Sequence, residues 1–384
     1  MDVYIQDCLR TPRGKGRPTG GLAQETPHGL IGHLVDALEN RAGLSRDHVD
    51  GLTLGCVGQV DAQGGHVAMT AKIHADLTPS CTAHSVNNFC ASGLTAIGLA
   101  AAAIQCGHSG QALAGGVEML SRVPFMADKA SYYSDQDFSR NKRYIPVALA
   151  ADILAEAHNI SRETMDAIAL RSQQRALAAD ADPALQASRI AVGGLNRDEA
   201  IRPTDAETLA KQRPAFAAIA EEFAHALSGE AIDHRMTKSH APPMTDGAAL
   251  ALLGGKDSFA SPRARIVAFA EAGGAARPSL LAGIAAMKTV LARAGMDLAQ
   301  MDRIEFMEAF APPVAIFERD FVPDMSKVNV GGGHIAKGHP MGATGAILLS
   351  TLLDALDVAE GRFGLVVVTG AQGAGAAIIV ERLR

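Results

Sequence analysis

The sequence predicts an α/β protein of two duplicated halves, with a central layer of helices between two mixed sheets and an inserted loop domain. Three observations lead there. Strand-like and helix-like segments alternate, and the strands end in glycine-bearing turns. The element order of residues 80–118 recurs in residues 303–383, with glycines at matching places although few residues are identical. Between the two lies a stretch of different character, holding most of the charge clusters and Tyr132, Tyr133 and Tyr144.

Composition narrows the function classes. At 384 residues the chain is long for one hydrophobic core. A net charge of −6 argues against a nucleic-acid footprint. The five cysteines (Cys8, Cys56, Cys81, Cys90, Cys106) form no CxxC pair, which favours free thiols in a reducing compartment over disulfides or zinc. The opening MDVYIQDCLRTPRGK lacks the apolar core of a signal peptide, and no apolar run suggests a bilayer span. A cytoplasmic location is the expectation.

In order, Val3 to Cys8 reads as a strand and Thr11 to Gly16 as a loop. Leu30 to Asn40 has helical spacing, and Val49 to Val57 reads as a helix end, a turn and a strand. A loop at Gly58 to Gly65 precedes a helix at Val67 to Ala75. A strand near Ser80 to Val86 delivers Cys90, from which a small-residue helix runs to Ile104. Gln111 to Ala114 reads as a strand and Gly115–Glu118 as a turn. Val147 to Ala179 is strongly helical, with a fresh start capped by Ser161 and acidic Glu163 in its first turn. The second half reads as a strand at Arg303 to Glu308, the glycines 331–333, a helix from Gly342 to Leu356, and strands at Leu365 to Thr369 and Ala377 to Leu383.

Cys90 carries the first chemical signal. A thiol at a helix start sits among unpaired N–H groups, an environment that favours the attacking thiolate. A buried, inert cysteine is the alternative. His339, in Gly338–His339–Pro340 before the second central helix, is brought towards Cys90 by the duplication and suits the role of proton acceptor.

Six segments in order resemble the thiolases. They are VNNFCASGL (Val86–Leu94), AGGVEMLSRVP (Ala114–Pro124), NISRETMDAIALRSQQRA (Asn159–Ala176), TDGAALALL (Thr245–Leu253), MEAFA (Met307–Ala311) and GHPMGATGA (Gly338–Ala346). The resemblance spans essentially the whole chain. It implies halves at 1–118 with 246–262 and at 263–384, and an inserted coenzyme A-binding domain at 119–245. It implies a homodimer or homotetramer, a coenzyme A thioester as substrate with no further cofactor, and acyl exchange through Cys90 with His339 as base. Backbone N–H groups at Cys90 and near Ala371 would hold the oxyanion. Pro242 and Met244 would touch coenzyme A.

Departures from the pattern matter as much. The family's second cysteine, the acid/base at the substrate α-carbon, is Thr369 here. The first residue of the usual NEAF motif is Met307, whose thioether cannot donate a hydrogen bond. His334 stands where a small residue is usual and is the nearby titratable candidate for a substitute base, a packing histidine being the alternative. Pro242–Pro243 replaces a Ser–Gly pair. Three readings follow: a thiolase-type acyltransferase; a thioester hydrolase or an acyltransferase to a non-carbon acceptor; and a non-catalytic acyl-CoA-binding subunit. A metal site is not expected, because His334 and His339 have no Cys, Asp or Glu at ligand spacing. The glycine runs lack the context of a dinucleotide fingerprint. Arg10, Arg13, Lys15 and Arg17 read as a solvated basic loop, with contact to coenzyme A phosphates as the alternative.

Overall fold

The computed structural model describes residues 2–384; Met1, the first residue of the expected N-terminal half, lies outside them. The first half contributes β1 (Val3–Arg10), the short β2 (Gly14–Lys15), β3 (Gly51–Gly55), β4 (Thr82–Val86), β5 (Gln111–Met119) and β6 (Thr245–Gly254). Its helices are α1 (Pro27–Ala42), α2 (Val67–His74) and α3 (Ser92–Gln105). Between β5 and β6 the chain leaves the sheet and forms α4 (Val147–Ala157) and α5 (Arg162–Asp180). The second half supplies β7 (Ala264–Gly273), β8 (Arg303–Phe306), β9 (Phe363–Thr369) and β10 (Ala374–Arg382), with α6 (Ala282–Ala294), α7 (Ala311–Phe321) and α8 (Thr344–Ala359).

Local chemistry sets the helix ends. In α1, Thr26 accepts from the Gly29 N–H at 3.1 Å, Pro27 opens the first turn, and left-handed Gly43 ends the helix. Its Leu30, Ile31, Leu34, Val35 and Leu38 stripe is buried against the sheet. Ser161 caps α5 through the Thr164 N–H, as its position implies.

Strand order reveals the duplication. The hydrogen-bonded path runs β4-β3-β5-β6-β1-β7-β10-β9-β8. The series β3-β5-β6-β1 and β8-β9-β10-β7 follow one pattern, and each includes a parallel pair (β3 with β5, β8 with β9) and antiparallel neighbours. The counterpart of β4 has shrunk to a single parallel bridge between Ile304 and Val328. One point differs from two separate sheets: β1 pairs with β6 along its length and with β7 at Val3–Ile5, beside a register shift between Ile5 and Asp7. That irregularity bends the strand and lets it serve both sheets.

Helices α3 and α8 lie side by side between the two sheets, α1 and α2 cover the outer face of the first, and α6 covers the second. Helix α8 is buried from Thr344 through Leu356. With the preceding turn it forms an apolar stretch, Met341–Ala359, long enough to cross a membrane, but the stretch is 89% buried within the protein. A strand continues through Gly115–Glu118, where local sequence suggested a turn. The glycines serve close approach instead: a Cβ on Gly116 would lie 2.4 Å from the Gly342 carbonyl oxygen. Gly345 plays the same part between the central helices, where a Cβ would lie 2.5 Å from Leu94 Cβ. This contact draws the start of α8 against the start of α3.

Candidate active site

The cysteine and histidine arrive from the two halves. β4 runs into a tight turn at Asn88–Ala91, with Phe89 left-handed at φ 46°, and regular helix begins at Ser92. Side chains hold this turn. Asn87 Oδ1 accepts from the Phe89 N–H at 3.0 Å, Ser92 Oγ accepts from the Asn88 N–H at 2.8 Å, and Asn88 Nδ2 donates to Thr95 Oγ1 and to Glu271 Oε1. From the other half, the His339 N–H donates to the Pro243 carbonyl at 2.8 Å, just after the short helix His334–Lys337.

Cys90 Sγ lies 3.2 Å from His339 Nε2, and His339 Nδ1 lies 2.7 Å from Thr344 Oγ1. Thr344 is the first residue of α8 and fully buried, so it fixes the ring plane. Behind them, buried Glu118 accepts from the N–H groups of Val57, Gly58 and Gly342 and from Gln63 Nε2, tying the loop after β3 to the turn before α8. Neither Thr344 nor Glu118 drew attention in the sequence, although both stand inside the quoted motifs.

Burial corrects the expected thiolate. Loss of water pushes the Cys90 thiol up to about 12, although the N–H groups of Ala371 and of Cys90 itself reach the sulfur and act the other way. Burial, aided by the charge of Arg13, pushes His339 down to about 3. At neutral pH the resting pair is therefore thiol and neutral imidazole. The same two N–H groups are thus donors beside the sulfur.

A cavity of about 1250 Å³, counted to its open mouth, borders Cys90, His339 and Ala371. Its walls are mostly apolar, with Phe125, Tyr132, Tyr144 and Val147 from the segment between β5 and β6, and Phe310 from the second half. Met307, Pro242 and Met244 line it too, and the Met307 thioether offers no hydrogen-bond donor to the space.

Two candidates lie elsewhere. Thr369 is buried, does not line the cavity, and its Oγ1 has no hydrogen-bond partner. His334 is fully buried, edge-on to His339 with ring centres 5.5 Å apart, and neither ring nitrogen has a partner. Burial lowers its pKa well below the ordinary value, and it reaches neither the cavity nor the Thr369 hydroxyl. The structure thus gives His334 the packing role. No group of three side chains suited to a metal ion occurs among the described residues. The basic loop also divides: Arg10 and Arg13 are buried, Arg10 donating to both Asp198 oxygens at 2.8 and 3.1 Å and Arg13 Nη1 lying 3.6 Å from Oδ2. A buried carboxylate, not solvent, answers their charge.

Comparison with known proteins extends over the same residues. The family models "Thiolase, N-terminal domain" and "Thiolase, C-terminal domain" match residues 3–257 and 260–382. The chain is 33% identical to the beta-ketoadipyl-CoA thiolase of Pseudomonas putida, covering 100% of both chains. It is 32% identical to the 3-ketoacyl-CoA thiolase of Klebsiella pneumoniae, covering 99% of both. Among solved structures, human mitochondrial 3-ketoacyl-CoA thiolase superposes with a TM-score of 0.89 and Bacillus anthracis acetyl-CoA acetyltransferase with 0.86. Each is 27% identical, and the match covers 100% of this chain and 99% of the other.

Proposed function

The chain belongs to the thiolase family, and on that premise we propose that it takes the acyl group of an acyl-CoA onto Cys90, with His339 as the proton acceptor. The observation that carries these roles is the 3.2 Å contact between Cys90 Sγ and His339 Nε2 at the edge of a large apolar cavity. As sulfur attacks the thioester carbonyl carbon, its proton passes to Nε2, while Nδ1–H donates to Thr344 Oγ1 and holds the ring. The carbonyl oxygen gains charge against the N–H groups of Cys90 and Ala371. Collapse breaks the carbon–sulfur bond to coenzyme A, whose thiolate recovers the proton from His339. The products are acyl-Cys90 and free coenzyme A. Pro242 and Met244 flank the path of the pantetheine arm.

A second reading has its own support. Making or breaking a carbon–carbon bond needs another proton-transfer group at the substrate α-carbon. Thr369 does not line the cavity, His334 is sealed behind His339, and Met307 supplies no donor. These favour hydrolysis, or transfer to a non-carbon acceptor, as the fate of the acyl-enzyme. Incubation with acetoacetyl-CoA and coenzyme A decides between the two. Acetyl-CoA as product supports full thiolase chemistry. Free coenzyme A with a carboxylate and no thiolysis supports the second reading, and no release of coenzyme A from any thioester would reject both.

A homodimer or homotetramer in the cytoplasm completes the proposal. The unpaired edge of β4, flanked by exposed Ile73 and Leu99, supports assembly, and five free thiols support a reducing compartment.

A further inference from the structure

Aromatic residues are scarce in this chain and unevenly placed. It has twelve Phe, four Tyr and no Trp, yet Phe89, Phe125, Tyr132, Tyr133, Tyr144 and Phe310 all border the catalytic cavity. The three tyrosines, which the acyl-transfer steps leave unused, form one wall. Tyr144 packs against Tyr133 with ring centres 4.6 Å apart and edge-to-face against Tyr132 at 6.1 Å. Phe138 backs Tyr132 at 5.2 Å, and Phe223 backs Tyr144 at 6.1 Å. The hydroxyls are engaged by the protein. Tyr132 Oη donates to the Lys142 carbonyl at 2.7 Å and lies 3.0 Å from Gln372 Oε1. Tyr133 Oη donates to Asp128 at 2.9 Å, and Tyr144 Oη to Met126 Sδ at 3.7 Å. The wall therefore offers ring surface rather than free hydroxyls, and its rings are fixed before a ligand arrives. Gln372 follows Ala371, whose N–H reaches the Cys90 sulfur, so this contact sets the wall at the acyl end of the cavity. Charge narrows the choice further. Among the described residues no Lys or Arg lines the cavity, and its two carboxylates, Asp128 and Glu118, already have partners. An acyl chain ending in a carboxylate would lose its water there without meeting a cation.

We propose that the acyl group this site takes carries an aromatic ring, seated against the rings of Tyr132 and Tyr144. This rests on the acyl-transfer reading and names the class of acyl group. A ligand ring adds offset or edge-to-face contact to its apolar burial, a gain that an alkyl chain of equal carbon number lacks. It also enters with fewer rotatable bonds to fix.

Release of coenzyme A from phenylacetyl-CoA and from octanoyl-CoA, which have equal numbers of acyl carbons, tests this on the full-length protein. The wild type should favour the phenylacetyl thioester by at least about fivefold in kcat/KM. Tyr144→Phe keeps the ring and should keep that ratio, whereas Tyr144→Leu should bring it to about one or below. A ratio of two substrates on one preparation does not depend on the fraction of folded protein, so a folding defect cannot imitate the result. A wild type that favours octanoyl-CoA, or a Tyr144→Leu variant with an unchanged ratio, overturns the aromatic acyl site and leaves acyl transfer intact. Where neither thioester releases coenzyme A, the acyl-transfer reading falls, and calorimetric affinities of the two thioesters for Cys90→Ala protein decide the ring site by itself. Tighter binding of phenylacetyl-CoA, lost in Cys90→Ala/Tyr144→Leu, keeps the ring site; equal or weaker binding overturns it.

Discussion

A thiol beside an imidazole can rest as an ion pair, but burial drives Cys90 and His339 to the uncharged form. The sign of the pH dependence follows. An imidazole accepts a proton only while neutral, and a histidine lowered to about 3 stays neutral far below pH 6.5. The acylation rate should therefore hold level from about pH 8 to pH 5, measured by single-turnover release of coenzyme A; a fall centred near pH 6.5 would contradict this assignment. Thr344→Val removes the partner of Nδ1 and should slow acylation by about tenfold with little change in KM, whereas Thr344→Ser should restore it. Cys90 and His339 were legible from their motifs. Thr344 was not, because a turn between Pro340 and α8 sets its reach to the ring, and linear spacing does not reveal that geometry.

At the level of elements, the strand through Gly115–Glu118 shows where local reading fails. Glycine signals a turn or a close approach equally well, and only the partner chain decides. Gly116→Ala would press a methyl group onto backbone at Gly342 and Ala343, beside the turn that Glu118 anchors. A loss of about 2–3 kcal/mol in urea denaturation is expected, with slower acylation as the His339 segment shifts. Gly273→Ala is the control, since nothing lies within 4 Å of its added Cβ, and it should change stability by less than about 0.5 kcal/mol. The basic loop was misread for a related reason. Arg10 and Arg13 look solvated until Asp198, nearly two hundred residues away, is folded against them.

For the whole molecule, the repeated element order allowed the duplication to be read from sequence, and strand order bears it out. The shared strand β1 was not legible, since it depends on one register shift. Packing two halves together also buries titratable groups. His334 is held neutral, so the unfolded chain takes up a proton that the folded chain refuses. Its contribution is complete above about pH 6.5 and is lost below that at about 1.4 kcal/mol per pH unit. Glu305 and Asp246, raised by burial, act in the opposite sense, so the wild-type curve alone is uninformative. The difference between wild type and His334→Phe isolates the histidine. In urea unfolding, the variant should gain on wild type by that slope between pH 6 and pH 5; a constant difference would mean that His334 is not buried in its neutral form.

The central claim is that the two halves meet to make Cys90 an acyl acceptor. Brief exposure to acetyl-CoA followed by intact mass measurement and peptide mapping tests it most directly. One acetyl group per chain on the Cys90 peptide is expected, absent in Cys90→Ala and slowed in His339→Asn. Unmodified protein, or acetylation of exposed Cys106 with Cys90 untouched, would contradict the account.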